Sequence, residues 1–530
     1  MNGIKFSIST AVTVFLAWLI YYLALPAINL TAPSFWFYII VVGVIGTIAF
    51  YIAGAEDEIM VPTVIFGGLA ALSLVILIVG SIIGTPLFNS NAYHTRLSVE
   101  TTTFENEISE VDWNTVPQID KDSSIILGNR KMGTLTNEVS QYNVMDNYTQ
   151  INYGKRPVRV SPLGYAGFFK YMNNKYNGIP GYILVDGVSK EAEFVKLEKG
   201  MQYSPSAKFG KNLKRYLRRN FRGTLFGEFS FEIDDNGKPY YIVPTYTYAA
   251  GIGGAKKPTG CILVDPVTGE IFKYDLNNIP DWIDHAIDAY TAVDMIDSWG
   301  MYQNGYWNSQ FGQKNVRRST EGYNYVTIGN DVYLYTGITS VVQDESNIGF
   351  MMVNMRTGIA KYFDMASAEE YSAMDSAKGQ VQHLNYNSTF PILINVKGIP
   401  TYFLSLKDAA GLVKMYAFVS VENIQLLSVT ESSLGVEHGM NEYLKKLNSS
   451  EQIVTKTEVV NIETKITVQD IFTTVIEGNS YYYIIDSNNN LYIANISVGK
   501  NCLPLLKIGD DVTVSCYNID DHYNVTSITK

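Results

Sequence analysis

Charge is what the first 86 residues lack. Lys5, Glu56, Asp57 and Glu58 are the only Asp, Glu, Lys or Arg side chains in that stretch, and a buried soluble helix would rarely stay uncharged for so long. Three apolar runs, at about 7–25, 35–55 and 61–84, each have the roughly 20 residues that a helix needs to cross a bilayer core. A cleavable signal peptide is a poor fit, because two further runs follow and the first lacks a small-residue cleavage site. Aromatic ends such as "AWLIYYL" and "FWFYI" suit interfacial belts. Residues 1–86 are therefore read as a three-helix membrane anchor. Lysine and arginine are also scarce around it. Lys5 on one side and Arg96 beyond the third run, with an odd number of spans, place the N-terminus inside and the large remainder outside the cytoplasm.

Cysteine is equally sparse. Cys261, Cys502 and Cys516 cannot make a disulfide scaffold; they read as small buried hydrophobes, although Cys502 and Cys516 are close enough in sequence to pair outside a cell. The five histidines show no ligand spacing among themselves, and no His-Glu-x-x-His, Gly-x-Ser-x-Gly or Walker signature occurs. The Gly-rich "GIGGAKK" at 251–257 lacks the Lys-Ser/Thr ending of a phosphate loop and runs into a strand, so a flexible hairpin loop is expected there. "DDNG" from Asp234 reads as a turn, not a calcium loop. No cofactor is expected. A net charge of −11 argues against bulk affinity for nucleic acid or anionic lipid while leaving room for a local basic patch.

What is present is repetition. "GYILVDGVSKEAEFVKL" from Gly181, "GCILVDPVTGEIFKYD" from Gly260 and "GFMMVNMRTGIAKYF" from Gly349 share one plan: glycine, four apolar residues, Asp or Asn, a polar turn, then a second apolar–aromatic run. That is a buried strand, a tight turn and a returning strand. Further hairpins precede the later copies, and another ("LINVKGIPTYFLSL") follows them. Helices are expected at 207–221, 280–299 (with Asn278 as cap and Pro280 in the first turn) and 368–382. The fold class is α+β: residues 87–158 an irregular stalk, 159–445 tandem modules of a helix plus an antiparallel meander, and 455–530 a small β-barrel. "ILVDPVTGEI" resembles the end of a PepSY-type domain, which implies a small helix-on-sheet module associated with binding or inhibition and brings no catalytic residues. "LKIGDDVTVSCY" is similar to the Gly-Asp turn before a late strand of an OB-like barrel. The whole chain resembles membrane proteins of Gram-positive bacteria and their mobile elements, a likeness that carries no function.

Two side-chain groups stand out as candidate sites. Asp281, Asp284, His285 and Asp288 fall at i, i+3, i+4 and i+7; on one helical face they could hold a divalent cation, although a solvated acidic face is the plainer expectation. In "KNLKRYLRRNFRG", Lys211, Lys214, Arg215, Arg218, Arg219 and Arg222 share a helical face opposite Leu213, Tyr216, Leu217 and Phe221. Acidic patches of a neighbouring module or subunit are the first expected partners of that basic face, anionic lipid or wall polymer the second. The functional expectation is a non-enzymatic, membrane-anchored scaffold or binding protein of a bacterial envelope, acting through a homo-oligomer or an envelope protein partner. An enzyme built on Asp281–Asp288 and a nucleic-acid transfer component are its rivals.

Overall fold

The computed structural model describes residues 2–54, 57–341, 343–449, 462–476, 479–519 and 522–530. The chain opens with helices α1 (Asn2–Ala24), α2 (Pro33–Ala53) and α3 (Asp57–Ile83). In each, a stretch of 21 to 24 residues is long and apolar enough to cross a membrane. Most of their apolar side chains point outward, Ile52 and Leu23 among them, as helices solvated by lipid require. Gly43 and Gly46 of α2 let the backbone approach Phe66 and Ala70 of α3, the small-residue contact that brings membrane helices together.

Residues 87–158 are not an irregular stalk. They hold the helix Pro86–His94, the strand Ser98–Thr102, the helix Lys121–Gly133 and two short strands, Tyr142–Val144 and Thr149–Tyr153. Their polarity conceals this because the helix Lys121–Gly133 turns Ser123, Ser124 and Gly128 inward, small residues that a hydrophobic pattern does not count. Asp120 caps it by accepting from the Ser123 N–H at 3.0 Å.

With that helix included, the unit recurs four times. Each copy is a helix, a first strand broken in two, and three further antiparallel strands. In the first copy, the helix Lys121–Gly133 precedes a sheet running from the two short strands through Arg156–Tyr165 and Ile179–Asp186 to Ala192–Met201. The second has the helix Leu213–Asn220, then Leu225–Phe226 and Ser230–Ile233, Pro239–Ala250, Gly254–Val264 and Ile271–Asp275. The third has the helix Ala289–Met301 and ends on Ile359–Phe363, to whose free edge Ser98–Thr102 adds in parallel. The fourth begins with the helix Glu370–Gln380 and closes on Leu427–Glu431 and the helix Val436–Ser449.

Two compact units divide the chain, residues 1–370 and 371–530. The second contains most of the fourth module and a closed barrel of five strands, Ile462–Ile476, Asn479–Asp486, Leu491–Asn495, Asp511–Ile519 and His522–Thr529. Around the barrel the order is first, second, third, fifth, fourth, with the third and fifth parallel. The expected start of this domain at 455, and part of the polar break before it, lie outside the described residues. The three cysteines are thiols, and Cys502 and Cys516 both pack in the barrel core.

The repeated motif has a backbone explanation. At Gly181, Gly260 and Gly349 a Cβ would collide with the carbonyl of the neighbouring strand (Val195, Tyr274 and Phe363 respectively). At all three the ladder register also shifts, as at a β-bulge. The Asp or Asn that follows closes the turn: Asp265 Oδ1 accepts from the N–H groups of Val267 and Thr268, as Asp186 does from Val188 and Ser189 and Asn354 from Arg356 and Thr357. The last turn residue is left-handed, with φ of +85° at Gly269 and +76° at Gly358. In the first copy Lys190 takes the same conformation at φ +64°, so the turn that departs in sequence keeps its shape. Gly269→Val is therefore expected to destabilise the protein by roughly 1–3 kcal/mol, seen as a lowered melting temperature; an unchanged melting temperature would remove the turn from the structural frame.

Candidate functional site

The basic helix forms where α1 leaves its apolar run. It is shorter than the sequence suggests, Leu213–Asn220 after a single 3₁₀ turn at Phe209–Lys211, because Asn212 starts it by accepting from the Arg215 N–H at 3.2 Å. Its cations do not act as one face. Arg218 is buried; its Nε donates to the Leu25 carbonyl at 3.2 Å, and its Nη1 donates to the carbonyls of Phe221, Arg222 and Thr224 at 2.7–3.1 Å. Arg215 stacks on the Tyr22 ring at 4.0 Å and donates to the carbonyls of Tyr22 and Phe209. The last carbonyls of a helix have no partner within it and carry its negative dipole end, so both arginines meet the requirement of α1. Leu25, left-handed at φ +51°, is held there from outside. Lys211 lies over the Tyr203 ring, while Lys214, Arg219 and Arg222 face solvent.

The Gly-rich hairpin completes this joint. It is packed, not loose: the Ile252 N–H donates to the Gly80 carbonyl and the Gly253 N–H to the Thr31 carbonyl, both at 3.0 Å. A Cβ on Gly251 would strike Gly80 and Gly84 of the α3 end. Between the exit of α1 and the first two modules lies a cavity of about 870 Å³, bordered by Leu25, Pro162, Pro205, Lys214, Phe226 and Tyr241 among others. Tyr241 is buried, and its hydroxyl has no partner among the described residues.

Asp281, Asp284, His285 and Asp288 do not lie on one helix. The helix begins at Ala289, with Asp288 as its cap accepting from the Thr291 N–H at 2.8 Å. Residues 280–288 are a link whose apolar side chains enter two different cores, Ile283 and Ala286 with the second module and Ile287 with the third. The helical ladder is displaced by Glu232, whose buried carboxylate accepts from the backbone N–H groups of Asp284 at 2.8 Å and His285 at 3.1 Å. Asp284 accepts from the Asn152 N–H at 2.7 Å, and His285 Nε2 donates to the Gln150 carbonyl at 2.6 Å. Arg159 donates to Gln150 Oε1 and to the Ile119 carbonyl, both at 2.6 Å. Asp281 is exposed and pairs with Arg356, which also binds Asp331. Asp288 meets the Tyr246 hydroxyl at 2.7 Å and Lys256 at 3.6 Å. The four residues thus serve separate partners at the junction of three modules. Among the described residues no group of three or more His, Cys, Asp and Glu side chains converges to hold a metal ion.

Glu232, Gln150, Asn152 and Arg159 were missed by reading motifs. The available signal was an ionisable side chain inside an apolar strand: Arg159 in "VRVSPLGY" and Glu232 in "FSFEI". Such residues are buried only when partnered.

Burial pushes the carboxyls of Glu232 and Asp284 above their usual range; the nearby Glu232 charge adds to the rise at Asp284, while at Glu232 the rise is opposed by His285 and by the hydrogen bonds the carboxylate accepts. Burial also pulls Arg159 down to about 10. Asp288 is buried too, but the Tyr246 hydroxyl and Lys256 hold it below the ordinary value.

No protein-family profile and no curated protein matches the chain. The solved structures that align with it include Trypanosoma rangeli sialidase in complex with the inhibitor DANA, at 10% identity over 73% of this chain and 54% of that one, with a TM-score of 0.17. The same sialidase in complex with 2,3-difluoro-KDN aligns at 10% identity over 73% and 53%, with a TM-score of 0.15. The chain spans about half the length of that sialidase, and a superposition this loose lends it neither fold nor activity.

A carboxyl whose pKa is raised on folding binds its proton more tightly in the folded state, so it costs stability as pH rises above the ordinary carboxylate range. Asp288, lowered, acts oppositely and only as pH falls below that range. The melting temperature is thus expected to decline from pH 5 to pH 8, and Asp284→Asn, which keeps an acceptor for Asn152, to flatten the decline; an unaltered slope would contradict the assignment. Magnesium, manganese, calcium and zinc should leave the melting temperature unchanged. A stabilisation erased by replacing Asp284 and His285 with alanine would instead reveal a metal site.

Proposed function

We propose that the protein is a membrane-anchored, non-enzymatic scaffold or binding platform of a bacterial envelope. One observation carries the reading: the charged groups a reaction might have used, Glu232, Asp284, His285, Arg159 and Arg218, are spent on joining modules to one another and to the end of α1. A chain that commits its buried charge to joints is built to hold a surface in position. The modules are read as PepSY-like from their helix-and-meander plan and their Thr-Gly turns, which favours binding over chemistry, and the barrel as OB-like from its five-stranded closure. The partner is a second copy of this chain or another envelope protein, engaged through the α+β modules. The enzyme alternative loses its support because Asp281, Asp284, His285 and Asp288 have separate structural duties. The nucleic-acid alternative loses Arg215 and Arg218, which are turned to α1.

In this reading α1–α3 make the protein multi-pass, and the bulk after α3 lies outside the cytoplasm, from the position of Lys5 and the odd number of spans. A cysteine at the exposed Ser189, in a variant lacking the three native cysteines, is expected to react with an impermeant thiol reagent on intact cells. Labelling only after the cells are opened would reverse the orientation and remove the envelope platform.

A further inference from the structure

The net charge of −11 hides a strongly basic face. From 199 to 227 the chain carries eight Lys and Arg and no Asp or Glu. Arg215 and Arg218 are taken by α1, but Lys208, Lys214, Arg219 and Arg222 are exposed. Beside them is an apolar cluster that a water-facing surface does not need. Phe168 and Phe169, which start the short helix Phe168–Asn174, are 48% and 79% exposed, and Phe209 is 51% exposed. The rings of Phe168 and Phe209 meet edge to face at 6.3 Å, and Tyr171, whose ring lies 6.5 Å from that of Phe209, donates its hydroxyl hydrogen to the Lys208 carbonyl at 3.1 Å. The patch is therefore a fixed part of the first module and of the approach to the basic helix.

Its height relative to the membrane helices follows from one side chain. The Arg215 guanidinium bridges the carbonyls of Phe209 and Tyr22 while lying on the Tyr22 ring. Tyr22 stacks in turn on Trp18, in the aromatic belt that marks the bilayer interface at the end of α1. Phe209 is thus held at the level of that belt, and Phe168 and Phe169 with it. Aromatic side chains flanked by exposed cations, at the height of a lipid headgroup layer, match the two components of interfacial binding: buried apolar area and attraction to anionic lipid.

We propose that this face, Phe168, Phe169 and Phe209 with Lys208, Lys214, Arg219 and Arg222, is seated in the anionic headgroup layer of the same bilayer that α1–α3 cross. The occupant is the lipid surface beside the protein's own anchor. The aromatic rings enter the interface, and the four cations lie over phosphate-bearing headgroups. The inference rests on the reading of α1–α3 as membrane spans, and its test separates the two.

Full-length protein carrying Cys502→Ser, so that the buried Cys261 and Cys516 remain, is spin-labelled at Phe169→Cys, Ile78→Cys or Ser189→Cys. Each variant is placed in nanodiscs of phosphatidylcholine alone or with phosphatidylglycerol, and collision with oxygen is compared with collision with a water-soluble nickel chelate. The label at 78, on α3, reports the anchor; the label at 189 reports water. The expected result is an oxygen-favoured, immersed signal at 169 in anionic discs. That signal should weaken in phosphatidylcholine alone and when Lys214, Arg219 and Arg222 are changed to glutamate. A signal at 169 like that at 189 in both discs, with 78 immersed, overturns the proposal while leaving the anchor intact. Equal immersion in both lipids, insensitive to charge reversal, also overturns it, since recognition of the anionic layer would be absent. A water-like signal at 78 would overturn the anchor and the proposal together.

Discussion

Most of the architecture before residue 370 turns on one buried carboxylate. Glu232 is sequestered from water, and an isolated carboxylate in such a place would cost several kcal/mol or more. It is tolerated because the backbone N–H groups of Asp284 and His285 and the Ser230 hydroxyl all donate to it. That demand fixes the path of residues 280–288, which cannot become helical while two of their N–H groups point at Glu232. The link then delivers Ile283 and Ala286 to the core of the second module and Ile287 to that of the third, and presents Asp284 and His285 to the backbone of the first. Three small modules, each with a modest core, are joined through polar groups that must all be present at once. Such networks specify one arrangement more than they add stability.

The second joint obeys the same logic at the end of the first apolar helix. The end of α1 offers unpaired carbonyls and a partial negative charge where the chain must turn sharply through a left-handed leucine. Arg215 and Arg218 supply the missing donors from the second module, and the hairpin at 251–253 supplies two more N–H groups, to Thr31 just before α2 and to Gly80 near the end of α3. The modules are thereby fastened to the ends of the three apolar helices. The helix Pro86–His94 adds a third tie: Arg96, buried beyond it, pairs with Asp294 at 2.7 Å and reaches Ser298 on the helix of the third module.

Much of this was legible in the sequence, and the failures share a cause. The three apolar runs and the α+β modules followed from hydropathy and turn chemistry, and five strands with Gly and Asn turns indicated a small barrel. What could not be read was polarity placed inside. The helix Lys121–Gly133 buries Ser123 and Ser124 and so passed for a polar stalk. The glycines at 251, 253 and 254 suggest freedom, yet Gly251 and Gly254 permit contact with the Gly84 end of α3 and Gly253 with Pro33. The spacing of Asp281, Asp284, His285 and Asp288 fits a helix well, yet a distant carboxylate, 52 residues upstream of Asp284, outcompetes the local ladder. Periodicity reports which face is apolar; it does not report where a buried charge will find its partners.

The central claim is that Glu232 locks the link between modules. Amide hydrogen exchange on the full-length protein tests it most directly. In the native protein the amides of Asp284 and His285 should exchange as slowly as those of the sheet core of the second module. In Glu232→Ala they should exchange many-fold faster, while the fourth module and the barrel keep their protection. If the amides at 284 and 285 remain equally protected in that variant, the carboxylate is not the lock and the account of the joined modules fails.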